Sequence, residues 1–200
     1  LSRYFVAVTP QGLGDNPMLK QLVGKMKRTF DGREFGARWV PPVLWHITLQ
    51  FLGELAPERR DDLFRVVNSW TPPETHFELR MQGLGGFPTE DQARVLWVGV
   101  QESQPLLNLQ ADLGRLLLEN KFVMEDRAYR PHLTLARLRN PHSVSDMVAM
   151  GARKHFGDYK ISEVIVFESV LQGNIPKYMP QLRRDLKRAV FSDNDSVRKE

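Results

Sequence analysis

The sequence predicts a two-lobed fold of alternating strands and helices, built from one β-α-β-α-β unit used twice. Three observations point there. The core His-x-Thr-Leu occurs in LWHITLQFLGE and again in YRPHLTLARLR, with its histidines 86 residues apart. The elements around each core recur at similar offsets, which is the signature of an internal duplication. No change of composition and no linker separates the halves, so they read as lobes of a single domain over 1–191. The polar end SDNDSVRKE (192–200) reads as a disordered tail.

The first unit opens with RYFVAVTP (3–10), rich enough in β-branched and aromatic residues for a strand. Asn16-Pro17 then predicts a helix start, Asn as N-cap and Pro at the first helical position. Leu19, Leu22, Val23, Met26 and Phe30 follow at helical spacing. Lys25, Lys27 and Arg28 fall on one solvated helix face, and the Arg183-Arg184 and Lys187-Arg188 pairs read the same way. The first motif strand covers 44–52. A second helix from Pro57 to Trp70 turns Leu63, Val66, Val67 and Trp70 inward. Strands HFELRMQGLGGF and RVLWVGV come next. GLGGFP (83–88) lacks the Gly-x-Gly-x-x-Gly pattern and reads as a turn between them.

The order then begins again. Strand 94–100 matches strand 3–10 in pattern, and a helix at 105–119 presents Leu106, Leu109, Leu113, Leu116 and Leu117. The second motif strand lies at 130–138. A helix at 143–155, capped by Ser143 or Ser145, precedes YKISEVIVFESVL, which fills the place that HFELRMQGLGGF holds in the first unit.

Composition narrows the chemistry. With no cysteine in the 200 residues, disulfides, thiolate catalysis and Cys-bound zinc are excluded. No uncharged apolar run approaches the roughly 20 residues that cross a bilayer, and LSRYFVAVTP reads as a strand rather than a signal peptide. Both fit a cytoplasmic protein. A formal net charge of +4 makes a polyanionic partner plausible without identifying one.

Residues two apart in a strand share a face. His46 and Thr48 therefore lie together, with Ile47 and Leu49 behind them, and His132 and Thr134 do likewise. A lone histidine in an apolar strand is usually a structural residue. Recurrence of His-x-Thr in matching halves reverses that judgement, whereas His76, His142 and His155 have no such context. Two imidazoles suit paired general acid–base work, one taking a proton from water and the other giving one to a leaving oxygen. Such an in-line displacement at phosphorus needs acid and base on opposite sides, and lobes related by an approximate two-fold axis supply that. Threonine hydroxyls can stabilise the non-bridging oxygens, and Arg130 and Arg137 can add charge-assisted contacts.

Zinc is the competing use of two histidines, but a catalytic site normally takes a third protein ligand, and no His-Glu-x-x-His or acidic cluster accompanies either motif. A serine hydrolase lacks its Gly-x-Ser-x-Gly.

At these residues the sequence resembles the 2H phosphoesterase superfamily, and within it the bacterial and archaeal RNA 2′,3′-cyclic phosphodiesterases, also known as 2′-5′ RNA ligases. RYFVAV, RWVPPVLWHITLQFLGE, GLGGFP with RVLWVGV, and YRPHLTLARL stand in the order that family shows. The resemblance implies an α+β bilobal fold, antiparallel sheets lining a central cleft and helices outside, with no cofactor or required metal. It implies His46 as proton donor, His132 as proton acceptor, and Thr48 and Thr134 on the phosphate, where the charge of Arg130 suits it to join them. Arg137 and Tyr178 are further substrate-binding candidates, Tyr178 by stacking on a base. The implied partner is RNA ending in a 2′,3′-cyclic phosphate, tRNA fragments among the candidates. The reaction opens that ring to a 2′-phosphate; with a 5′-hydroxyl RNA end as the nucleophile, the same chemistry makes a 2′-5′ linkage. One stretch departs from the family: FESVLQGNIPKYMPQL has Ile175 where relatives carry glycine, which predicts a different path from Leu171 to Tyr178. Phe5, Trp45 and Phe51 read as packing.

Two other readings remain. One keeps the chemistry on small cyclic nucleotides or 2′-5′ oligonucleotides. The other is a non-catalytic binder of RNA ends, against which both intact His-Thr pairs argue.

Overall fold

The computed structural model describes residues 2–29, 36–125, 127–172 and 175–187. In chain order the strands are β1 (Ser2–Val8), β2 (Arg38–Trp39), β3 (Ile47–Leu55), β4 (Phe77–Phe87), β5 (Ala93–Val100), β6 (His132–His142), β7 (His155–Ile161), β8 (Glu163–Gln172) and β9 (Ile175–Asp185). The helices are α1 (Pro17–Thr29), α2 (Pro57–Ser69), α3 (Gln104–Glu119) and α4 (Ser145–Gly151). Among the described residues no helix is long and apolar enough to cross a membrane.

The strands join in the order β7-β4-β5-β6-β3-β1-β8-β9, with β2 on β6, and every pairing between them is antiparallel. The two motif strands meet at the middle through Ile47 and Leu133. Outward from that junction one lobe runs β3-β1-β8-β9 and the other β6-β5-β4-β7. The fold is thus α+β and bilobal, with matching lobes. Since β8 takes in one lobe the place β4 takes in the other, the last strand of each repeated unit has crossed over. That exchange explains why no linker divides the sequence: each lobe draws on both halves.

Local sequence accounts for most elements. Asn16 caps α1, its Oδ1 accepting from the Leu19 amide at 2.7 Å, and Pro17 follows at the position where a missing N–H costs nothing. Leu19, Leu22, Val23 and Met26 are buried as their spacing predicts; Phe30 lies outside the described residues. In α2, Leu63, Val66 and Val67 are buried, and Trp70 ends it while donating from Nε1 to Asp112 of α3 at 2.8 Å. In α3, Ser103 is the N-cap, and Leu106, Leu109, Leu113 and Leu117 are buried. β1 is apolar on both sides: Tyr4, Val6 and Val8 join the main core, while Phe5 and Ala7 are buried but outside it.

Four expectations are corrected. The motif strands begin at Ile47 and His132 rather than at 44 and 130, because a 3-10 turn over Pro42–Leu44 takes the Leu44 and Trp45 amides and Pro131 has none to give a ladder. The helix at 143–155 shortens to α4, with Val144 as its N-cap and no side-chain cap, since residues 155–161 pair with β4. GLGGF is the end of β4 itself, and its glycines serve close approach: a Cβ on Gly85 would lie 2.1 Å from the Trp97 ring. Arg183 and Arg184 lie on a strand, β9, where Arg183 pairs with Glu163 and Arg184 donates to the Trp70 carbonyl. Arg188 and the 192–200 tail lie outside the described residues. So do residues 173–174 of FESVLQGNIPKYMPQL; Gln172 pairs with Ile175 in the ladder between β8 and β9.

Candidate active site

The repeated strands bring their polar faces to the inside of the curled sheet. His46 directly precedes β3 and His132 begins β6. Each imidazole is held alike: Nδ1 lies 2.7 Å from the carbonyl of the residue two before it, Leu44 for His46 and Arg130 for His132. A carbonyl only accepts, so both Nδ1 atoms carry the proton. In the neutral rings both Nε2 atoms therefore offer a lone pair to the cleft. Burial pulls both imidazoles below their ordinary value, His46 to about 4, and the positive charge of Arg137 lowers both further. Arg130 acts likewise on His132.

Arg137 thus bears on both histidines while lying exposed on β6, opposite Val95 of β5 and Arg38 of β2. The Arg130 guanidinium lies 4.7 Å over the Phe87 ring, which packs edge-on against His132 at 4.8 Å. Thr48 and Thr134 are half-buried on the same inner faces, and among the described residues no side chain holds either hydroxyl. Of the seven residues singled out from sequence, Tyr178 packs on His46, Arg130 reaches His132 through Phe87, Arg137 bears on both imidazoles, and Thr48 and Thr134 share their histidines' strand faces.

Tyr178, on β9, stands perpendicular to His46 with ring centroids 5.2 Å apart. Phe5 lies 4.9 Å from His46 and stacks on Phe167 at 5.2 Å. Phe5 is therefore more than packing: it is buried, but against the imidazole. Trp45, by contrast, is a core residue, and Phe51 is exposed.

Sequence reasoning missed the aromatic walls and one tie. Phe167 flanks His46, while Phe87 and Trp97 flank His132. Tyr129 donates to the Thr48 carbonyl at 3.1 Å, linking the approach to β6 with β3. Alternation along β1 places Phe5 opposite the core, a signal available in the sequence; the Trp97–Gly85 contact depends on strand pairing and was not. Among the described residues, no group of three or more His, Asp or Glu side chains is placed to hold a metal.

Two imidazoles with Nε2 left unanchored, an arginine bearing on both and two hydroxyls on the same strand faces can bind an anion and exchange protons with it. An RNA 2′,3′-cyclic phosphodiesterase of Archaeoglobus fulgidus is 30% identical over 164 residues, 81% of this chain and 86% of that protein. One from Aquifex aeolicus is 25% identical over 171 residues, 84% of this chain and 90% of its own length. The structure of TT0787 of Thermus thermophilus superimposes with a TM-score of 0.74 at 26% identity, covering 93% of this chain and 98% of that one. That of E. coli LigT complexed with 3′-AMP gives 0.73 at 22% identity, over 94% of this chain and 99% of that one, a likeness of fold. The 2′-5′ RNA ligase superfamily model matches residues 16–165, and the chain belongs to that family.

Proposed function

We propose that this protein hydrolyses RNA 2′,3′-cyclic phosphate ends to 2′-phosphate ends by paired-histidine acid–base catalysis that needs no metal. The observation that carries the reading is the matched anchoring of His46 and His132, each with Nδ1–H on a carbonyl and Nε2 left for substrate.

His132, neutral, takes a proton at Nε2 from water as the water oxygen attacks phosphorus. The P–O3′ bond breaks, and O3′ receives a proton from Nε2 of His46, which enters the step as imidazolium. The product is a 2′-phosphate with a free 3′-hydroxyl; His132 returns its proton to solvent and His46 regains one. Burial disfavours the imidazolium form of His46 before substrate binds. A bound phosphate diester anion offsets that, so substrate itself charges the acid. Arg137, with Arg130 beside His132, attracts the anion, and Thr48 and Thr134 donate to the non-bridging oxygens where charge develops. With an RNA 5′-hydroxyl in place of water as the nucleophile, the same sequence of steps forms a 2′-5′ linkage and frees the 3′-hydroxyl.

The test is incubation with an RNA oligomer ending in a 2′,3′-cyclic phosphate. The expected product gains one water, loses its phosphate to phosphatase and co-elutes with an authentic 2′-phosphate end on a column that separates it from the 3′-phosphate isomer. A 3′-phosphate product, or no ring opening, contradicts the reading.

A further inference from the structure

We propose that Arg139, with Arg94 beside it, binds the phosphodiester on the 5′ side of the terminal nucleoside, so that the enzyme grips a strand and not a lone nucleotide. The inference rests on the reaction proposed above. Thr134 pairs with Trp97 and Arg137 with Val95 across β6 and β5, with a register shift between them. Residues paired across antiparallel strands share a face, so the bulge returns Arg137 to the face of His132 and Thr134, and Arg139 follows on it. Arg94 of β5 donates from Nη1 to the Arg139 carbonyl at 3.1 Å, which brings another guanidinium to the same stretch of β6. All three arginines are exposed.

This charge is not neutralised from within. Arg80, Arg115 and Arg183 are answered by Asp158, Asp112 and Glu163. Among the described residues no carboxylate lies within ion-pair distance of Arg94, Arg137 or Arg139. The duplication supplies the comparison: where β6 carries Arg137 and Arg139, β3 carries Phe51 and Gly53 at the same offsets from its histidine. The strand itself therefore needs no arginine at either place. Like charges held together cost free energy that a bound anion offsets. Two residues of strand advance about 7 Å, near the spacing of successive phosphates in an extended nucleic-acid strand. With Arg137 at the reacting phosphate, Arg139 meets the next one. A strand that ends in a cyclic phosphate continues only on the 5′ side of its last nucleoside, so that next phosphate is the 5′ linkage. Contacts of this kind position a strand without reading its sequence.

The experiment compares kcat/KM for two dinucleotides that end in a 2′,3′-cyclic phosphate. One has an ordinary phosphodiester between its nucleosides, and the other an uncharged methylphosphonate. Both carry a 2′-O-methyl group on the first ribose, which keeps that linkage intact. Wild type should favour the phosphodiester by about five- to tenfold at low salt, and by less as salt is raised. Arg139→Gln and Arg94→Gln should each bring the ratio toward one, and Arg139→Lys should restore part of it. Arg115→Gln, which removes an equal charge from the outer helix α3, should leave the ratio as it is. Equal opening of both dinucleotides by wild type, or a ratio that survives in both glutamine variants, overturns the proposal while the reaction stands. A ratio that does not change with salt overturns the charge pairing. Opening of neither dinucleotide overturns the reaction, and the phosphodiester site with it.

Discussion

The Tyr129 hydroxyl donates a 3.1 Å hydrogen bond to the main-chain carbonyl of Thr48. A residue three before His132 is thereby fixed to the strand that carries the other His-Thr pair. Burial pushes the phenol above its ordinary value, so it stays a donor throughout the working pH range. Tyr129→Phe should cost about 1 kcal/mol of stability in urea unfolding and lower kcat for ring opening. Unchanged stability and kcat would show that the tie does not position the site.

The histidines predict an acid-shifted rate profile. On the proposed mechanism the reactive form of free enzyme has His46 protonated and His132 neutral. His46 protonates only as pH falls toward about 4, and His132 is also lowered. The profile of kcat/KM should therefore peak below the ordinary histidine value of about 6.5 and fall on the alkaline side. Bound anion favours the imidazolium, so the alkaline limb of kcat should lie at higher pH than that of kcat/KM. A kcat/KM still rising above neutral pH, with chemistry rate-limiting, contradicts this arrangement.

Thr48 and Thr134 offer hydroxyls that no other side chain occupies among the described residues. Valine keeps their shape and removes the donor. Thr48→Val and Thr134→Val should each lower kcat by about 10²-fold, as loss of one oxyanion donor does, with little change in melting temperature. Wild-type kcat in both would remove the threonines from the phosphate site.

Gly85 is the position where a single methyl should be felt at the chemistry. A Cβ there would fall 2.1 Å from Trp97, which sits beside Phe87 and His132. Gly85→Ala should cost about 1–3 kcal/mol through overpacking and shift the fluorescence of Trp97. A well-folded Gly85→Ala enzyme with unaltered rate and emission would show that the ring moves freely.

What could be read without coordinates follows from physics of short range. The i, i+2 rule put His and Thr on one face, and helical spacing identified the buried residues of α1, α2 and α3. The Asn16 cap was legible for the same reason. Pairing between distant strands was not. Nothing local in GLGGF announces a strand end beneath Trp97, because the need for glycine comes from β5. The crossing of β4 and β8 was equally hidden: their patterns match, but which lobe each joins is a property of the whole sheet. The shared action of Arg137 on both histidines likewise appears only once the motif strands meet.

The measurement that bears most directly on paired-histidine catalysis is single-turnover opening of a 2′,3′-cyclic phosphate RNA end, in EDTA, by wild type, His46→Asn and His132→Asn. Asparagine can still donate to the Leu44 or Arg130 carbonyl, so the anchor survives while the reactive nitrogen is lost. The account predicts full wild-type activity in EDTA and a loss of about 10²–10⁴-fold in each folded variant. A variant that keeps the wild-type rate, or a wild-type enzyme silenced by EDTA and restored by a divalent metal, would contradict it.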